Sequence, residues 1–121
     1  MNEPLKLPSR VRVSEAASNH LAYLKSKTQL TPNILARIAL TVSLNSNFDH
    51  RHLSPVCDGL EFNLSTLLGD QTLTYELLLL SESGASSVEE LTMALVSHIE
   101  NGVSYLRTSK SLNSLVDTIM Q

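Results

Sequence analysis

Apolar and polar residues alternate along LKLPSRVRVS, with Leu5, Leu7, Val11 and Val13 on one face of an extended segment and Lys6, Arg10 and Arg12 on the other. Pro8 has no backbone donor, so regular pairing starts after it, and the pattern predicts a short strand over residues 9–13. The period then lengthens. Ala17, Leu21 and Leu24 recur at helical spacing behind Ser14, a residue type that caps helix N-termini, while Lys25 and Lys27 suit a C-terminal end. KTQL reads as a turn. Thr31 is the next cap, with Pro32 in the first turn, where its missing N–H costs nothing.

The helix that begins there, TPNILARIALTVSLN, is apolar on two sides. Ile34, Leu35, Ile38, Ala39 and Val42 share one face, and Ala36, Leu40 and Leu44 cluster on the other with Arg37 among them. A helix apolar on two faces has to be covered on both. In so short a chain one core covers one face comfortably, so the second predicts a partner, most simply another copy of the chain. Arg37, Leu40 and Leu44 are the candidate oligomer interface, with the Arg37 stem packed and its guanidinium paired to a carboxylate or reaching water. The competing reading is that a later helix of the same chain covers that face.

Residues 46–60 form a polar loop containing Pro55 and Gly59. EFNLSTLLGD leads into a third long helix over about residues 70–82, striped by Leu73, Leu77 and Leu80. Ser87 and Glu90 make a capping box for a fourth, which runs to about Arg107 along Val88, Leu91, Leu95, Ile99 and Leu106, with Gly102 permitting close packing. A last short helix covers residues 111–120. The fold class is mainly α: a single small helical domain over residues 1–121, with a short N-terminal strand, a ribbon–helix–helix-like unit at 9–45, a loop at 46–60, a helical half at 61–121, and four to five helices in all.

Composition sharpens this picture in two places. The single cysteine, Cys57, excludes an internal disulfide. With no signal-like N-terminus and no apolar run of membrane-spanning length, a cytoplasmic protein with no membrane partner is expected. Net charge is −3, but it is unevenly spread: residues 1–37 hold six basic residues against two acidic, and residues 38–121 hold three against ten. A basic N-terminal segment on an acidic chain points to an anionic partner.

Candidate chemistry is sparse. Asp49, His50, His52, Cys57 and Asp58 lie close in sequence, but their spacing matches no zinc signature, and no metal or cofactor is expected. Cys57 lacks the setting of an activated thiol. His98, beside the stripe of the fourth helix, reads as a packed core histidine. Phosphate-binding, nucleophile-elbow and dinucleotide motifs are missing, so no catalytic residue is assigned and the chain reads as a non-enzyme.

Strand–helix–helix is, however, the order of a ribbon–helix–helix DNA-binding unit, in which two chains pair their strands and outward side chains enter the major groove. Arg10 and Arg12 face outward if Val11 and Val13 face the core. With Lys6, Lys25 and Lys27 they form the candidate DNA-binding set, and they could equally hold phosphates without reading bases. Three readings follow: a phosphate-gripping scaffold, a sequence-specific regulator, and an adaptor that binds only proteins.

LPSRVRVSEAASNHLAYLKSKTQLTPNILARIAL, LEFNLSTLLGD and HIENGVSYL resemble the DndE family of bacterial DNA sulfur modification, over roughly residues 7–107. The resemblance implies a mostly helical, non-catalytic, tetrameric component that binds double-stranded DNA with a preference for nicked duplex. It also implies partners: a cysteine desulfurase, an iron–sulfur protein with ATP-pyrophosphatase character and an ATPase.

Overall fold

The computed structural model describes residues 5–120. Its elements, in order, are β1 (Arg10–Arg12), α1 (Glu15–Thr28), α2 (Pro32–Leu44), a 3-10 turn at His50–His52, β2 (Glu61–Asn63), α3 (Leu64–Leu68), a second 3-10 turn at Gly69–Gln71, α4 (Thr72–Ser83), α5 (Val88–Leu106) and α6 (Leu112–Met120). The expected caps hold the helix starts. Ser14 accepts from the Ala17 N–H, Thr31 from Ile34 and Ser87 from Glu90. The Glu90 carboxylate reaches back to the N–H of Ser86, one residue before the cap.

α5 is the axis of the molecule. It is buried along nearly its whole length, from Leu91 through Leu95, His98 and Ile99 to Leu106, and α2 is its main neighbour. Gly102 lets the two helices meet: a Cβ at that position would stand 1.8 Å from the Ala39 carbonyl oxygen. The close packing expected at this glycine is therefore backbone against helix.

α1 closes on Gln29, which sits in the left-handed region at φ 66° and returns its N–H to the Lys25 carbonyl. A side chain there costs conformational energy that glycine avoids. Gln29→Gly is expected to raise stability by about 0.5–1 kcal/mol, read as a higher urea midpoint at unchanged slope. An unchanged midpoint would mean that α1 ends without strain.

Three expectations change. First, EFN is a strand. β1 pairs antiparallel with β2 of its own chain, Val11 opposite Phe62, with Arg10 opposite Asn63 and Arg12 opposite Glu61. The strand–helix–helix order is present, but the strand's partner comes from fifty residues later in the same chain. β1 stands where its alternation predicts a strand, whereas the three residues of β2 run straight into α3 and are too few for a two-residue period to register in sequence.

Second, the two-faced helix α2 finds its second cover inside the chain. Ala36 and Leu40 are fully enclosed together with Leu35 and Ala39, and Ile34 is the exposed one at 41 %. Leu40 thus exposes no surface in the single chain. Leu44 is half-buried. Among the described residues Arg37 meets carbonyls and not a carboxylate: its Nε donates to the Leu67 carbonyl at 2.7 Å and its guanidinium to that of Thr66 at 3.1 Å, a cation closing the C-terminal turn of α3.

Third, α4 is rotated from the expected stripe. Glu76 and Leu79 point inward, while Leu73 and Leu77 are 64 % and 49 % exposed. Four consecutive leucines, Leu77–Leu80, carry no helical phase, so the packing and not the pattern chose the buried side.

Candidate nucleic-acid interface

Because Val11 is buried against Phe62, the alternation of β1 turns Arg10 and Arg12 outward, where both side chains are more than half exposed. Both ends of the segment are tied to the helical body by carboxylates. At one end, Glu76 on α4, itself buried, accepts the Leu7 N–H at 2.7 Å. At the other, Glu100 on α5 accepts the Ser14 N–H at 2.8 Å and its hydroxyl at 2.7 Å. Further backbone bonds run from Leu64 N–H to the Ser9 carbonyl, and from Val13 N–H to that of Leu60. Two arginines are thus presented on a pinned ribbon and not on a loose terminus.

The arginines are not free of partners. Arg10 lies 3.2 Å and Arg12 3.8 Å from opposite oxygens of Glu61, and Arg12 also donates to the Gly59 carbonyl at 2.9 Å. Lys6 is exposed at the start of the same segment. Lys25 and Lys27 do not join this group. They stand in the last turn of α1, roughly 15–18 Å along its axis from the end that follows β1, with the Lys27 ammonium 5.5 Å from the Tyr23 ring centre. The five candidate cations therefore form two separate clusters.

The loop between α2 and β2 carries little convergent chemistry. The Asp49 carboxylate holds Arg51 at 2.8 Å and raises its pKa further, first through the hydrogen bond and then through charge. The side chain of His52 lies outside the described residues. No three described His, Cys, Asp or Glu side chains gather at metal-binding distance. Cys57 is exposed, but partial burial of its sulfur, then Glu100 and Asp58, push the thiol pKa up. Iodoacetamide is expected to alkylate Cys57 more slowly at pH 7.5 than it does a free cysteine, with the rate climbing only above the ordinary thiol range. A rate matching free cysteine would show that these neighbours do not act on the sulfur.

His98 is the packed core histidine its position suggests. Its Nδ1 lies 2.7 Å from Ser43 Oγ and its Nε2 2.9 Å from a Glu82 oxygen. Asn101 donates to Ser43 at 2.9 Å, so one chain of donors running Asn101, Ser43, His98, Glu82 satisfies each group. The order Ser–His–Glu is that of a hydrolytic triad, but Ser43 is fully enclosed and His98 is 1 % exposed. No substrate reaches that hydroxyl, and the chain of bonds ties α2, α4 and α5 together.

A second surface feature lies on the helical half. Leu73, Leu77 and Leu78 are exposed along α4. Beside them Thr41, Leu44, Tyr75 and Leu78 line a cleft of about 370 Å³ between α2 and α4.

Comparison with known proteins identifies the family. The family model described as DNA sulphur modification protein DndE matches residues 10–114. This chain belongs to the DndE family. The structure of DndE from Escherichia coli B7A, described as involved in DNA phosphorothioation modification, is similar to it at a TM-score of 0.77 and 32% identity, covering 84% of this chain and 98% of that one. A DndE mutant with two glycines changed to lysine, described as involved in DNA phosphorothioation, superposes with a TM-score of 0.72 at 32% identity, covering 81% of this chain and 96% of that one. No curated protein matches the chain. The DndE match takes in the whole β1–β2 ribbon with Arg10 and Arg12, whereas Lys6 precedes it and most of α6 follows it. No described helix of this DndE-family chain is long and apolar enough to cross a membrane.

Proposed function

We propose that this protein is a non-catalytic, cytoplasmic DNA-binding component of DNA phosphorothioation, gripping the backbone of double-stranded, preferentially nicked DNA through the outer face of the β1–β2 ribbon. The observation that carries the reading is the outward pair Arg10 and Arg12 on a carboxylate-pinned ribbon in a member of the DndE family. Two cations on one rigid face neutralise neighbouring phosphates at little cost in ordering, and they position DNA without reading its sequence. Lys6 extends the same face; Lys25 and Lys27 add a second contact further along α1.

One ribbon alone is a weak site, and repetition in an oligomer would multiply it through effective concentration. The exposed leucines of α4 and the cleft holding Leu44 support a homotetramer built on that side, away from any need for Leu40. The same family context supports docking to a cysteine desulfurase, an iron–sulfur ATP-pyrophosphatase-like protein and an ATPase.

Fluorescence anisotropy of labelled intact and nicked duplex, titrated at several salt concentrations, tests the reading. Salt-sensitive binding that is tighter on the nicked duplex is the expected result. An adaptor that binds only proteins is the competing reading, favoured by the excess of acidic residues over residues 38–121. Complex assembly without duplex binding at low salt would decide for it.

A further inference from the structure

We infer that the Glu61 carboxylate occupies, within the protein, the seat between Arg10 and Arg12 that a backbone phosphate would take, and so sets how tightly this face holds DNA. The inference rests on the proposed DNA-facing role of the two arginines and adds a residue to it.

The geometry is that of a bridging anion. Glu61 stands directly across the ladder from Arg12 and diagonally from Arg10, so all three side chains leave the same face of the ribbon. One carboxylate oxygen faces Arg10 at 3.2 Å and the other faces Arg12 at 3.8 Å. A phosphate offers the same arrangement: two anionic oxygens on one centre, one for each guanidinium. The carboxylate is 36 % exposed and the arginines 65 % and 53 %. In that setting the pairs are weak and exchangeable, so an incoming phosphate competes for the arginines without unfolding anything. The competition is unfavourable twice over, since the phosphate must displace a charge partner and then lies beside a carboxylate of its own sign.

Among the described residues, Arg10 and Arg12 are the side chains that pair with the Glu61 carboxylate. Its neighbour across the face, Asn63, is engaged in capping α3 through Ser65 and Thr66. A purely structural clamp predicts the opposite behaviour: removing Glu61 would loosen the arginines and weaken binding.

The test compares the wild type with Glu61→Gln, Arg10→Gln/Arg12→Gln and the triple variant by duplex anisotropy across a salt series. In parallel, pyrophosphate titrations follow the arginine Nε–Hε signals by NMR. Glu61→Gln is expected to bind duplex roughly three- to tenfold tighter at low salt, with the salt slope steeper by about one. The gain should vanish when the arginines are already absent. Unchanged or weaker binding by Glu61→Gln, with the arginines still required, would overturn the inference while leaving the DNA-binding role intact. An equal gain in the arginine-free background would also overturn it, by showing a general charge effect. Should no variant bind duplex, the DNA-binding reading fails and pyrophosphate decides for the seat itself. Arg10 and Arg12 signals moving at severalfold lower pyrophosphate in Glu61→Gln would support it, and equal midpoints would refute it.

Discussion

Gly102→Ala is expected to lower the thermal midpoint by roughly 10–20 °C, a loss of about 3–4 kcal/mol, and Gly102→Leu to prevent folding. Glycine inside a helix is ordinarily a weakness, and alanine at such a site improves helix propensity by about 1 kcal/mol. Here the sign reverses, because the added carbon would stand 1.8 Å from Ala39 O, 2.3 Å from Ala39 C and 2.6 Å from Ala39 Cα. Those are backbone atoms of α2, which cannot rotate aside as a side chain does. The helices would have to separate, and the enclosed layer of Leu35, Ala36, Ala39 and Leu40 on one side and Leu95, Ile99 and Leu106 on the other would open. Circular dichroism melts give the result directly. A midpoint within about 3 °C of the wild type would mean that α5 can slide or tilt to accommodate the methyl group.

Arg10→Glu/Arg12→Glu is expected to weaken duplex binding on the order of a hundredfold near physiological salt and to reduce the salt slope by about two. Two phosphate contacts are lost, and two like charges replace them beside Glu61. The fold should survive, because both side chains are exposed and an exposed ion pair contributes at most about 1 kcal/mol. Analytical ultracentrifugation and a melt on the same sample separate the two effects. A folded, assembled variant that still binds duplex as tightly as the wild type would move the DNA contact elsewhere, with Lys25 and Lys27 at the far end of α1 the next cations to reverse.

The outward arginine face was legible one strand at a time. LKLPSRVRVS by itself says that Arg10 and Arg12 face away from Val11, and the ribbon agrees. It says nothing of Glu61, whose approach depends on a ladder closing across the whole strand–helix–helix unit. The five cations looked like one patch because they are close in sequence. The length of α1 splits them.

Sequence alone was sufficient for interactions that close within a turn of helix. Ser14, Thr31 and Ser87 cap their helices because each hydroxyl needs only an N–H three residues ahead. Gly102 and His98 were placed correctly because each lies within or beside a stripe long and regular enough to fix a helix's phase. Tertiary structure decided what covers each face. On α2 both faces are apolar, and only the assembled chain shows that Ala36 and Leu40 are enclosed along with Leu35 and Ala39, with α5, α1 and α3 packed around the helix and Ile34 left outside. Arg37 finds α3 carbonyls that its own neighbourhood does not contain. On α4 the leucine run is apolar in every direction, so the docking of Glu76 onto the Leu7 N–H and of Glu82 onto His98 goes with the rotation that buries Leu79 and leaves Leu73 and Leu77 outside. A hydrophobic pattern states how much surface must be covered; which partner covers it is settled by the packing of elements distant in sequence.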